Sequence, residues 1–205
     1  MRIQDLKELQ VDGIKESANI GSGHAATALS QMLGKEVSVE VPKIEIIPIE
    51  KTPELLGRDA GIIVASLTKF FGDVTGRTLI VMSDDNAKTL VKILLNKEMS
   101  RDVVIDDMGI SSLKEVANIL CSSYLNAISE FLGLLLLPSV PVIIRDDFGA
   151  IISSVYLEFS GDEEFVFCVK TIFHFKDPEK ELEAYLLLIP DTGGLTIILK
   201  AMDLL

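Results

Sequence analysis

The stretch KESANIGSGHAATALSQMLG, from Lys15 to Gly34, returns as KEVANILCSSYLNAISEFLG, from Lys114 to Gly133. One constant spacing relates Glu16 to Glu115, Asn19 to Asn118, and beyond the phrase Val41–Pro42 to Val140–Pro141. A chain that repeats itself at half its length folds as two similar units. Past the repeated phrase both halves turn strand-like. The first half has VSVEV, KIEIIPIE, GIIVASLTK and GRTLIVM; the second has VPVIIR, AIISSVYLEF, FVFCVKTIFHF and AYLLLI. Apolar residues alternate at Val37, Val39 and Val41 and at Phe165, Phe167 and Val169, the period of a strand. Each half then closes on a helix. Ser83 and Asp84 cap DDNAKTLVKILL, whose Leu90, Val91, Leu94 and Leu95 form one buried face, and GGLTIILKAMDLL takes the same place at the end.

Each half therefore reads helix, strands, helix, over about residues 5–98 and 104–205 of a single 1–205 domain. A unit of that size buries little core alone. Two such units joined about a pseudo-two-fold axis share a continuous antiparallel sheet. The expectation is an α+β fold made by internal duplication and monomeric for that reason. The short charged segment NKEMSRDVVIDD joins the halves without separating them.

A hydrophobic fraction of 48% with 24% charged residues is that of a globular protein. The net charge of −12 repels nucleic acid and anionic membranes and attracts a protein partner with a basic rim. The polar start, MRIQDLKELQVDGIKE, lacks the apolar core of a signal peptide, so a cytoplasmic protein is expected. FLGLLLLPSVPVII is too short to span a bilayer and reads as core. Cys121 and Cys168, isolated in apolar surroundings, read as reduced core thiols.

Apolar packing explains matched alanines and leucines, but not a matched glutamate and asparagine. Asp12, Glu16, Asn19 and Gly23 are spaced 4, 3 and 4, which holds them on one narrow helical stripe. Ser111, Glu115, Asn118 and Ser122 repeat it. Ile14, Ala18, Ala25, Ala28, Leu29 and Met32 fall on the opposite side of the first helix, and Leu113, Ala117, Leu120 and Leu132 on that of the second. Both stripes should face solvent, with Gly23 and Ser122 leaving room for another surface. Asparagine in mid-helix competes for backbone hydrogen bonds and lowers helix stability. Keeping it twice on an exposed face points to a function.

The doubled D/S-x-x-x-E-x-x-N signature, at Asp12–Asn19 and Ser111–Asn118, resembles that of the CheC/CheX/FliY family of bacterial chemotaxis phosphatases. The resemblance covers essentially the whole chain. It implies hydrolysis of the aspartyl phosphate of the response regulator CheY, and binding of the receptor-modifying deamidase CheD. It further implies that the receiver brings Mg²⁺ and its own lysine, that Glu16 and Glu115 engage that lysine, and that Asn19 and Asn118 orient the attacking water. Asp12, Gly23, Ser111 and Ser122 are then supporting residues or partner contacts, with Asp12 and Ser111, which differ from each other, either edge contacts or helix-start residues.

Carboxamides suit such a task, offering an acceptor and two donors without charge to repel phosphoryl oxygens. Neither stripe contains His, Arg or Cys, and Lys15 and Lys114 lie just off it, so an independent hydrolase is not expected. No metal or cofactor of the chain's own is expected. The pairs Asp84–Asp85, Asp106–Asp107 and Asp146–Asp147 read as turn and cap residues, and GSGHA lacks the glycines of a phosphate loop. A non-catalytic module that binds a receiver or CheD remains the alternative.

Overall fold

The computed structural model describes residues 8–54, 61–98, 103–157, 165–176, 179–191 and 193–201. In chain order the elements are α1 (Glu8–Leu33), β1 (Val37–Pro48), a 3₁₀ turn (Ile49–Glu54), β2 (Ile62–Gly72), β3 (Gly76–Ser83) and α2 (Asp84–Leu94). The second half follows with α3 (Asp107–Leu132), β4 (Leu136–Pro138), β5 (Val142–Asp147), α4 (Phe148–Leu157), β6 (Phe165–Lys176), β7 (Glu179–Pro190) and α5 (Gly194–Ala201).

The matched residues of the repeat explain why the two long helices stop where they do. Gly34 and Gly133 take the left-handed conformation (φ 61° and 65°) that ends a helix most cheaply with glycine. Just before them, Ser30 Oγ accepts from Val37 N at 3.0 Å, and Ser129 Oγ donates to the Leu134 carbonyl. Each serine fastens the chain leaving its helix. At the start of α3 the Asp106 carboxylate accepts from Gly109 N at 2.9 Å, and Ser83 caps α2 by accepting from Asn86 N at 3.2 Å.

All strand pairs are antiparallel and form one seven-stranded sheet in the order β1-β6-β7-β3-β2-β4, with β5 also pairing β2. Read by repeat, the order is a palindrome. Pro48 faces Phe165 on one side and Asp147 faces Ile62 on the other; Val39 faces Phe173 as Pro138 faces Phe70. Even the irregularity recurs. The β1 register shifts between Glu40 and Lys43, around Pro42, and the matching strand breaks into β4 and β5 around Pro141. Proline has no N–H to give the ladder, so each strand bulges or parts there. The α+β fold with a continuous two-fold sheet is as expected.

The central strands are buried on both faces. Val64, Ile80 and Leu186 pack with α1, α2 and α3 on one face, while Ile63, Ala65, Val81 and Leu187 pack with α4 on the other. α1 and α3 lie side by side, antiparallel. A Cβ on Gly13 would strike the Phe131 ring, and one on Gly21 would meet Tyr124.

Three expectations are corrected. AIISSVYLEF is helical as far as Leu157, in α4, and its last two residues lie outside the described ones. Phe148, Ile151, Ile152 and Val155 are buried at helical spacing, and packing on the sheet overrides the β-branched preference for strand. Met32 is 39% exposed because it stands on the outer side of the last turn of α1. FLGLLLLPSVPVII is core only in part: Leu132 and Leu136 are buried, while Leu135, Leu137, Val140 and Val142 are exposed along the sheet edge. The helix at Leu90–Leu95 packs inward as expected, with Leu90 and Val91 buried and Leu94 and Leu95 against the core. Cys121 and Cys168 are free, buried thiols.

Candidate functional site

Six of the eight stripe residues are where the periodicity puts them, facing solvent. Ala18, Ala25 and Leu29 press α1 onto the sheet, and Leu113, Ala117 and Leu120 do so for α3. This leaves Glu16, Asn19 and Gly23 exposed on α1, and Ser111, Glu115 and Asn118 exposed on α3. Ser122 is half-buried, and Asp12 lies on α1 with a side chain outside the described residues.

The matched residues now separate into two groups. Ala18 and Ala117 are core, Ser30 and Ser129 are latches, and Gly34 and Gly133 are helix ends. Among the described residues, the side chains of Glu16, Asn19, Glu115 and Asn118 make no hydrogen bond or ion pair within the chain. Nothing in the fold calls for a glutamate and an asparagine there. Their donors and acceptors point outward, available to a partner.

Gly23 sharpens the point. A glycine in mid-helix costs roughly 0.5–1 kcal/mol relative to alanine, and a Cβ on Gly23 would find nothing within 4 Å. Gly21, two residues earlier, is needed for helix packing; Gly23 is not.

Two apolar side chains near the stripes escaped sequence reasoning. Ile20 is 44% exposed beside Glu16 and Gly23, and Met108 is 64% exposed one turn before Ser111. Both look like core residues in the sequence, and only their exposed faces give them away. Exposed apolar side chains beside polar hydrogen-bonding groups are what protein interfaces use.

The remaining polar groups serve the scaffold. His174 is flanked by Glu40 and Glu181 at 3.1 Å each, across β1, β6 and β7, while His24 is exposed next to Gly23. Asp106 caps α3, Asp147 Oδ1 accepts from Ala150 N at 3.2 Å at the start of α4, and Asp84 binds Arg145. Asp106 and Asp147 are thus cap residues, as expected, while the Asp84 carboxylate is held in an ion pair instead. Among the described residues no three His, Cys, Asp or Glu side chains gather closely enough to hold a metal ion, and no helix is long and apolar enough to cross a membrane.

The fold and the stripes define an internally duplicated α+β protein with an exposed Glu-x-x-Asn pair on each of two paired helices, and comparison with known proteins gives its family. The CheC-like family model matches residues 11–46 and 108–145, the two helices with the strands that follow them. The CheY-P phosphatase CheC of Bacillus subtilis (strain 168) is 34% identical over 91% of this chain and 90% of its own. The chain belongs to the CheC-like family. Among solved structures, Thermotoga maritima FliY matches with a TM-score of 0.78 at 18% identity, over 97% of this chain and 98% of that one. A CheX–CheY–BeF₃–Mg²⁺ complex from Borrelia burgdorferi matches with a TM-score of 0.51 at 18% identity, over 89% of this chain and 97% of that one.

Proposed function

We propose that this chain is a CheY-P phosphatase, a hydrolase acting on the aspartyl phosphate of a CheY-type receiver, with one site on each long helix. The observation that carries the reading is the pair of exposed, internally unbonded Glu-x-x-Asn stripes in a chain 34% identical to a CheY-P phosphatase. Asn19 or Asn118 enters the receiver's site and orients water in line with the leaving carboxylate. Glu16 or Glu115, one helical turn earlier, bonds the receiver lysine and sets the depth of entry. Asp12, Gly23, Ser111 and Ser122 border the contact.

Phosphoryl transfer asks a protein mainly for positioning and charge stabilisation. The receiver supplies Mg²⁺, and this chain adds only the oriented water. The Borrelia burgdorferi complex, in which a CheX is bound to CheY with BeF₃ and Mg²⁺, supports a CheY-type receiver as the partner. The protein works in the cytoplasm, as a monomer whose two repeats make one domain.

The same chain binds the deamidase CheD. Of two surfaces open to that role, the Leu90–Leu95 helix is taken up by the core, while the edge bearing Leu135, Leu137, Val140 and Val142 stays exposed.

The test is phosphate loss from a labelled receiver. Asn19→Ala and Asn118→Ala should each leave partial turnover and the double variant almost none, with all three melting at or above the parent temperature. A folded double variant that works at the parent rate removes the catalytic role of the asparagines. If phosphate loss is unchanged even by the parent protein, the non-catalytic binding reading takes its place.

A further inference from the structure

α1 meets α3 along Gly13, Ser17 and Gly21. Gly13 sits against Phe131 and Gly21 against Ser123 and Tyr124, and Ser17 is 2% exposed between them. At about 100° per residue, the stripe of Asp12, Glu16, Asn19 and Gly23 lies roughly 130° round the helix from that line. Ala18, Ala25 and Leu29 mark the direction of the sheet. The stripe is therefore outward-facing and tilted some ~50° away from α3. On α3 the side chains that meet the sheet and α1 include Leu120, Cys121 and Tyr124, and the stripe of Ser111, Glu115, Asn118 and Ser122 leans outward by a similar angle in the opposite sense.

Distance alone argues that two partners would collide. With Gly21 opposite Tyr124 in an antiparallel pair, Asn19 and Asn118 are about eight residues apart along the axes, roughly 12 Å. The axes themselves are about 8–10 Å apart. A domain of 100–150 residues has a radius of gyration of about 13–15 Å, hence a diameter near 35 Å. Two such bodies standing upright on adjacent helices would overlap. Splay decides the matter. Leaning outward by ~50° on each side moves their centres to about 40 Å apart, beyond contact.

We infer that the two stripes hold two receiver domains at the same time, one on each flank of the α1–α3 pair. The inference rests on the phosphatase reading given above. Each site works without reference to the other, since the residues between them, Gly13, Ser17, Gly21 and Tyr124, belong to a packed seam that neither partner touches. Turnover then rises with receiver concentration without sigmoidicity, as the sum of two independent hyperbolas.

The experiment is sedimentation velocity of the full chain with a BeF₃-activated CheY-type receiver in excess and Mg²⁺ present. It is run on the parent protein, on Glu16→Ala/Asn19→Ala and on Glu115→Ala/Asn118→Ala. Two receivers per parent chain and one per variant are expected. One receiver on all three proteins overturns simultaneous occupancy while leaving both sites, and the phosphatase reading, intact. No complex with any of them overturns both.

Discussion

Gly21 in α1 lies so close to Tyr124 in α3 that a Cβ at Gly21 would stand 3.1 Å from the Tyr124 Cα and 3.1 Å from its ring. Tyr124 is 1% exposed, with its hydroxyl 3.3 Å from Thr171 Oγ1, so the ring has nowhere to retreat. Gly21→Ala should therefore force the helices apart and lower stability by roughly 1–3 kcal/mol. Urea unfolding measures it, and an unchanged midpoint would mean that the helix seam is not tightly packed.

Gly23→Ala should act in the opposite direction. With open space around that position, the gain in helix propensity raises stability by roughly 0.5–1 kcal/mol. In an Asn118→Ala background, which isolates the proposed α1 site, the same change should slow turnover, because a methyl group would stand in the proposed receiver contact. A higher melting temperature with undiminished turnover would leave Gly23 without a role in that approach.

Asp84 gives the stability a defined acid limb. Arg145 Nε donates to its Oδ1 at 2.6 Å and a second guanidinium nitrogen to its Oδ2 at 3.1 Å, with Lys88 at 2.8 Å. The Arg145 hydrogen bonds hold the carboxyl down at about 2, against the opposing effect of burial. A depressed carboxylate stabilises the fold above its ordinary range and loses that contribution as pH falls through its folded value. Asp84→Asn should melt below the parent at neutral pH, with the gap closing between about pH 4 and pH 2. A gap that stays constant to pH 2 would mean that the ion pair contributes nothing through charge.

The thiols should be silent. Burial pushes both above the usual range, Cys168 to about 12, and neither side chain is more than 3% exposed. A thiol reagent at pH 8 should label neither residue in the native protein and both after denaturation. Fast labelling of the folded chain would show that α3 or β6 opens.

The stripes were legible because two periodicities agreed. Helical spacing put Glu16 and Asn19 on one face, and the repeat put Glu115 and Asn118 on its copy, so chance was a poor account of either. The two-fold sheet followed from the same duplication. The exchange of partners across it, β1 with β6 and β2 with β5, did not, because strand pairing depends on which half-built edge meets which. Burial at the edges was hidden for a similar reason. Leu137 and Phe71 face each other in half-exposed positions that correspond to Ser38 and His174 at the far edge. A leucine in a strand gives no sign of whether another layer lies over it. The helix α4 was hidden by Ile151, Ile152 and Val155, whose branched side chains favour strand until the sheet surface offers them a groove.

The palindromic sheet also sets a timetable. Among the described residues β1 bonds to no strand of its own half; its partner is β6, and Pro48 must wait for Phe165. At synthesis rates of about 5–20 residues per second, that wait lasts roughly 6–25 s. During it, α1 and β1 are outside the ribosome with one face of apolar side chains uncovered and no ladder to join. Long-range pairing of this kind slows folding, since loop closure precedes the contacts that reward it. The nascent first half is thus the stage at which this chain most needs shelter from aggregation, well before the two Glu-x-x-Asn stripes stand side by side.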